Sequence, residues 1–154
     1  MTGRSAVQAS FTIERVFEAT PARVFQCFAD ADTKARWSCH ENWTMSEFEF
    51  REGGRERSSG GEPGEPVYDF DGVYQDIVEG ERIVFAFEMR RDGERFSVSV
   101  GTIQLAPHDR GTRLLFTEQG VFLDGWEDAR QREAGSGAGL DNLAEMLRRE
   151  AAAA

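Results

Sequence analysis

The stretch Val67–Met89, VYDFDGVYQDIVEGERIVFAFEM, decides how this chain folds. Two runs rich in Val, Ile, Phe and Tyr flank the turn sequence EGER, and each alternates with a period of two, as a strand's side chains do. Tyr68, Phe70, Gly72 and Tyr74 share one face while Asp69, Asp71, Val73 and Gln75 share the other; beyond the turn, Phe85, Phe87 and Met89 alternate with Val84, Ala86 and Glu88. The pair reads as an antiparallel hairpin whose aromatic residues line a single face. Such a face must be covered by something else in the chain.

The same pattern continues on both sides. Downstream, RDGE turns into RFSVSVGTIQLAP and HDRGT into RLLFTEQGVF; upstream, WTMSEFEF sets Phe48 and Phe50 on one parity, GGRERSSGG is a polar strand between glycines, and EPGEP is a loop. Ser10–Ala19, SFTIERVFEA, reads as a first strand with Phe11 and Ile13 inward and, after a slip, Val16 or Phe17. Thr20 then caps a helix that has Pro21 at its first position and Val24, Phe25 and Phe28 at helical spacing. Asp30 or Asp32 caps a second short helix ending near Trp37. The tail is helical, with Leu140, Leu143, Met146 and Leu147 on one stripe. GSGAG at 135–139 either breaks that helix or admits a close backbone.

The expected fold is therefore α+β: a strand, two short helices, a six-stranded antiparallel meander and a long C-terminal helix. The 154 residues read as one domain, with a core from about 10 to 150 and no repeat or linker. A formal charge of −10 disfavours nucleic acid and anionic membrane as partners, because it repels the phosphates both present. The N-terminus has no apolar targeting core and no window reaches the roughly 18 apolar residues of a membrane helix, so the reading is a cytoplasmic protein. Cys27 and Cys39 lack paired spacing and read as small buried thiols. Cys39, His40 and Glu41 are adjacent, which cannot place three side chains around one ion, so no metal is expected. GxSxG, GxxxxGK[ST], GxGxxG and HExxH are all absent, and no cofactor is expected.

The segments FEATPARVFQCFADADTKARW, FREGGRERSSG, FDGVYQDIVEGERIVFAFEM, GTRLLFTEQG and GLDNLAEML, in that order, resemble the successive signatures of the SRPBCC or START-like superfamily. Within it they most resemble the family named after homologues of the activator of the heat-shock-protein ATPase, over roughly residues 10–150. The resemblance implies a helix-grip fold, a curved antiparallel sheet of six to seven strands wrapped around the C-terminal helix with a cavity between them. It also implies a choice among apolar-ligand carriers, polyketide cyclase-like enzymes and co-chaperones linked to the stress response, and fold alone does not choose.

The candidate site follows from the inward parities. Twelve Phe against three Trp and two Tyr suit an apolar interior or pocket. The expected lining is Trp37 from the end of the second short helix, Phe48, Phe50, Tyr68, Phe70, Tyr74, Phe85, Phe87, Met89 and Phe116 from the sheet, with Leu143, Met146 and Leu147 from the C-terminal helix. Tyr68 and Tyr74 carry hydroxyls that need partners, from each other, from Glu118 or from a ligand. In RLLFTEQGVF, Glu118 shares the parity of Leu114 and Phe116, which turns a carboxylate inward. It reads as a pocket-mouth group that orients a ligand or pairs with an arginine, with proton transfer as the alternative. His40, in the loop after the second helix, is expected with Glu118, Tyr68 and Tyr74 to bind and orient the ligand, and is the second candidate for proton transfer; His108 lies in the turn PHDRG.

The leading function is binding of a small apolar or aromatic molecule, by a carrier, sensor or sequestering protein, with no catalytic residue established. The alternatives are a cyclase-like or hydrolase-like enzyme using Glu118 or His40, and a chaperone ATPase regulator acting by protein contact. A homodimer through a sheet edge or a helix is a further expectation.

Overall fold

The computed structural model describes residues 3–39 and 42–154. Its chain order is β1 (Ala6–Phe17), α1 (Pro21–Ala29), α2 (Ala31–Ser38), β2 (Trp43–Phe48), β3 (Arg55–Gly60), β4 (Tyr68–Val78), β5 (Arg82–Arg91), β6 (Glu94–His108), β7 (Gly111–Leu123) and α3 (Ala129–Ala153). The strands form one antiparallel sheet in the order β1-β7-β6-β5-β4-β3-β2, so the first strand pairs with the last and the other six run as a meander. This is the helix-grip arrangement that strand parity and element order predict.

Local chemistry places the helices. The Thr20 hydroxyl accepts from the Arg23 amide and Pro21 opens α1; the Asp30 carboxylate accepts from the Thr33 amide and starts α2. Asp128 and Gln131 form a reciprocal capping box that starts α3.

Two details differ from the sequence reading. β1 has no slip: its register with β7 is continuous from Ala6 to Phe17, and Phe17 is buried while Val16 is not. Arg15 takes the inward place between Ile13 and Phe17, and its guanidinium reaches Asp141 of α3 at 3.0 Å, so a charge on the inner face is met by the helix laid against it. Nor does GSGAG break α3. A Cβ at buried Gly137 would stand 3.2 Å from the Arg15 guanidinium, which is the close approach that a small residue permits, whereas Gly135 and Gly139 face nothing within 4 Å.

The core gathers Ile13 and Phe17 of β1, Val24, Phe25 and Phe28 of α1, Leu114 of β7, and Leu140, Leu143 and Leu147 of α3. The backbone of α3 lies nearest β1 and α2 rather than β4 and β5. That placement controls the site: the concave face over β4 and β5 is only partly covered.

Candidate functional site

Backbone register aligns the inward residues in rows across the sheet. One row runs Tyr74, Phe85, Gly101, Glu118, Phe11 through β4, β5, β6, β7 and β1. The next runs Phe48, Glu56, Gly72, Phe87, Ser99, Gly120 through β2 to β7. Glycines in these rows make room for rings and hydroxyls: a Cβ at Gly101 would lie 2.5 Å from the Phe85 ring, one at Gly72 3.0 Å from Phe70, and one at Gly120 2.3 Å from the Ser99 hydroxyl. The rings of Phe70 and Phe87 stack at 5.0 Å and those of Phe85 and Phe87 at 5.4 Å. Phe70, Phe85 and Met89 point inward yet remain half-buried, as does Met146 of α3.

Two polar clusters flank these rings. At the β6, β7 and α3 side, Glu118 is 1% exposed, and its Oε2 accepts from the Ser99 hydroxyl at 2.7 Å and from the Arg132 guanidinium at 2.6 Å. Arg132 also donates to the Ser97 hydroxyl at 2.7 Å and to Glu127 at 2.6 Å, and lies over the Phe122 ring. Glu118 Oε1 is buried and has no hydrogen-bond partner among the described residues. Burial pushes the Glu118 carboxyl above its ordinary range, against the opposing pull of Arg132 and the Ser99 bond. A buried acceptor without a donor is costly.

At the α2, β3 and β4 side, Glu56 Oε1 accepts from Lys34 Nζ at 2.6 Å and from the Tyr74 hydroxyl. Burial, then the charge of Glu56, pushes the Tyr74 phenol far above its ordinary range, so it stays a donor. Lys34 also stands 5.9 Å from the centre of the Phe48 ring.

The expected lining residues thus divide. Phe48, Phe50, Tyr68, Phe70, Phe85, Met89 and Met146 are half-buried; Phe87, Phe116 and Tyr74 are buried within the same inner face. Tyr68 packs edge-on against Phe96, and Tyr74 bonds Glu56 rather than Tyr68 or Glu118. Trp37 sits elsewhere: buried against Phe28, its indole N–H donates to the Cys27 carbonyl at 2.9 Å, tying α2 to α1. Leu143 and Leu147 are core residues of the α3 stripe. His40 lies outside the described residues; His108 is exposed, and its Nδ1 accepts from the Arg110 amide. Two open grooves lie away from the concave face. One of about 580 Å³ crosses the outer face between Ser10, Ala86, Val98, Val100 and Val121, and one of about 440 Å³ separates β1 from α3 beside Arg15 and Asp141. Neither is lined by an aromatic ring.

The family described as Activator of Hsp90 ATPase homolog 1-like protein matches residues 18–149, from the end of β1 to the last turns of α3. The chain belongs to this family. No curated protein matches it. Among solved structures, an uncharacterized protein from Rhizobium leguminosarum is 38% identical, with 96% of this chain and 99% of that one covered and a TM-score of 0.88. A protein from Rhizobium loti is 41% identical over 92% of this chain and 98% of its own, with a TM-score of 0.83. One from Chromobacterium violaceum is 26% identical over 90% and 96%, with a TM-score of 0.75. Among the described residues no helix is long and apolar enough to cross a membrane.

For this member of the Activator of Hsp90 ATPase homolog 1-like family, Arg132, Ser97, Ser99, Lys34 and Glu56 escaped the sequence reading. Two of the signals were available. Extending the stripe of Leu147, Leu143 and Leu140 back in steps of four reaches Ser136 and Arg132, and alternation through RERSSG turns Glu56, Ser58 and Gly60 to one face.

Proposed function

We propose that the chain binds a small, largely apolar or aromatic molecule on the concave face between β4–β7 and α3. What supports the reading is one combination: inward rings that stay half-buried, next to a buried carboxylate oxygen with no partner among the described residues. Apolar area left accessible in a concave surface, with a few convergent polar groups, is the general make-up of a small-molecule site. Glu118 orients the ligand by accepting a hydrogen bond, and Arg132 keeps its carboxylate in place. The outer groove is the poorer site, since its polar side chains are Gln8, Ser10 and Gln119 and it offers no ring to stack on.

A thermal-shift screen of hydroxylated aromatics, flavonoids, aromatic polyketides and fatty acids tests this. A ligand that binds only the folded state adds about 2.7 kcal/mol at a hundred times its Kd, which for a chain of this size is a rise of several degrees. Stabilisation confined to compounds with an apolar body and a hydrogen-bond donor is expected. No shift with any compound would overturn the reading and move weight to the chaperone contact that the family's name suggests.

A further inference from the structure

The two polar clusters stand at opposite ends of the same rows. Tyr74 and Glu118 are three strand spacings apart in one row, about 14 Å at the backbone. Between them Phe85 lies flat over Gly101, with Phe87 stacked beside it. The stretch of inner face between them is therefore aromatic and its two ends are polar, and the ends differ in chemistry. At one end Glu118 Oε1 is buried, unpartnered and able only to accept when ionised. At the other, Lys34 carries three N–H donors, of which one meets Glu56.

We infer that the ligand is a flat, elongated molecule with a hydrogen-bond donor at one end, received by Glu118, and a neutral hydrogen-bond acceptor at the other, received by Lys34. The inference rests on the concave face being the binding site and adds the ligand's polarity and length. The flat body follows from the stacked rings of Phe85 and Phe87, 28° apart, on which a planar molecule extends the stack; Phe70 stacks on Phe87 but is tilted 52° from Phe85. The acceptor is neutral because Glu56 already balances Lys34 within 2.6 Å and the chain carries a net charge of −10, both of which disfavour a second anion. A ketone or quinone carbonyl fits this description and a carboxylate does not.

Four probes close a cycle on the ligand: naphthalene, 2-naphthol, 2-acetylnaphthalene and 6-acetyl-2-naphthol, with the corresponding 2,6-substituted anthracenes covering a longer span. Binding to the wild-type chain is measured by calorimetry or by probe fluorescence. The hydroxyl and the acetyl group should each tighten binding about tenfold or more, the bifunctional compound should bind tightest, and the analogue with a carboxylate in place of the acetyl should bind more weakly. Lys34→Met should remove the gain from the acetyl group and leave the gain from the hydroxyl; Lys34→Leu, which also lacks a donor, serves if the methionine variant does not fold, and the wild-type series needs no variant. If the acetyl group adds nothing, if the carboxylate binds tighter, or if Lys34→Met weakens 2-naphthol as much as 6-acetyl-2-naphthol, the two-ended ligand is wrong while binding on the concave face stands. If no member binds, naphthalene and anthracene included, both fall.

Discussion

Replacing Arg132 by methionine removes the charge that faces Glu118 while keeping a long apolar side chain against Phe87, Phe96 and Phe122. In the native protein the pair is nearly dry, with side chains 9% and 1% exposed, and Arg132 spends its donors on Glu118, Ser97 and Glu127. The substitution leaves Glu118 with the Ser99 hydroxyl alone. Breaking one side of a buried ion pair costs about 3–5 kcal/mol, whereas replacing both partners is often neutral or better. Arg132→Met should therefore lower the melting temperature by about 6–20 °C, at about 2–4 °C per kcal/mol for a chain of this length. The double variant Arg132→Met with Glu118→Gln should recover most of that loss.

The pH dependence supplies the sign. Burial already raises the folded-state pKa of Glu118, and removing Arg132 takes away the largest opposing influence. A carboxyl whose pKa is higher folded than unfolded takes up a proton on folding, so its cost is full above the folded pKa and fades as pH falls toward the unfolded value of about 4.3. Urea denaturation from about pH 8 down to about pH 5 should show the single variant's deficit shrinking, and the double variant's much smaller deficit staying level. A deficit below about 1 kcal/mol, or one independent of pH, would refute the claim that Glu118 is a buried charge held by Arg132.

Two further outcomes follow from the inner face. Gly101→Ala puts a methyl group where the Phe85 ring now lies, so it should cost about 1–3 kcal/mol in chemical denaturation and weaken binding on the concave face; a variant as stable as its parent would mean the ring moves freely. The Tyr74 phenol is held protonated in the folded chain and ionises in the unfolded one near pH 10, so folding stability should fall as pH rises through that value. Tyr74→Phe should flatten that limb of the stability curve, and an unchanged limb would place the cause elsewhere.

Strand parity was enough to find the inner face, because alternation through VYDFDGVY and IVFAF leaves one choice of side once the face is to be buried. It also turned Glu118 inward. Parity does not say what lies opposite, however. Arg132 comes from the first part of α3, where three glycines between 135 and 139 argue locally against helix, whereas the Asp128–Gln131 capping box starts the helix and Gly137 packs against Arg15 of β1. Arg15 misled for the same reason: a slip in β1 avoids an inward arginine, while the fold instead supplies Asp141 from the other end of the chain. The indole of Trp37 could not be placed from sequence, because its partner is a backbone carbonyl, which every residue carries. Alignment of Tyr74, Phe85, Gly101 and Glu118 in one row depends on the lengths of three turns and two β-bulges, and a one-residue error in any of them moves Glu118 off the row.

The central claim is that the half-covered concave face, and not the outer groove, takes the ligand. Methyl-labelled NMR spectra recorded while 6-acetyl-2-naphthol is added test it directly, because Met89 and Met146 report on the concave face and Val98 and Val100 on the outer one. Progressive, saturable shifts at Met89 and Met146 with Val98 and Val100 unmoved are the expected result. Shifts concentrated at Val98 and Val100, or none at any of the four, would contradict the account.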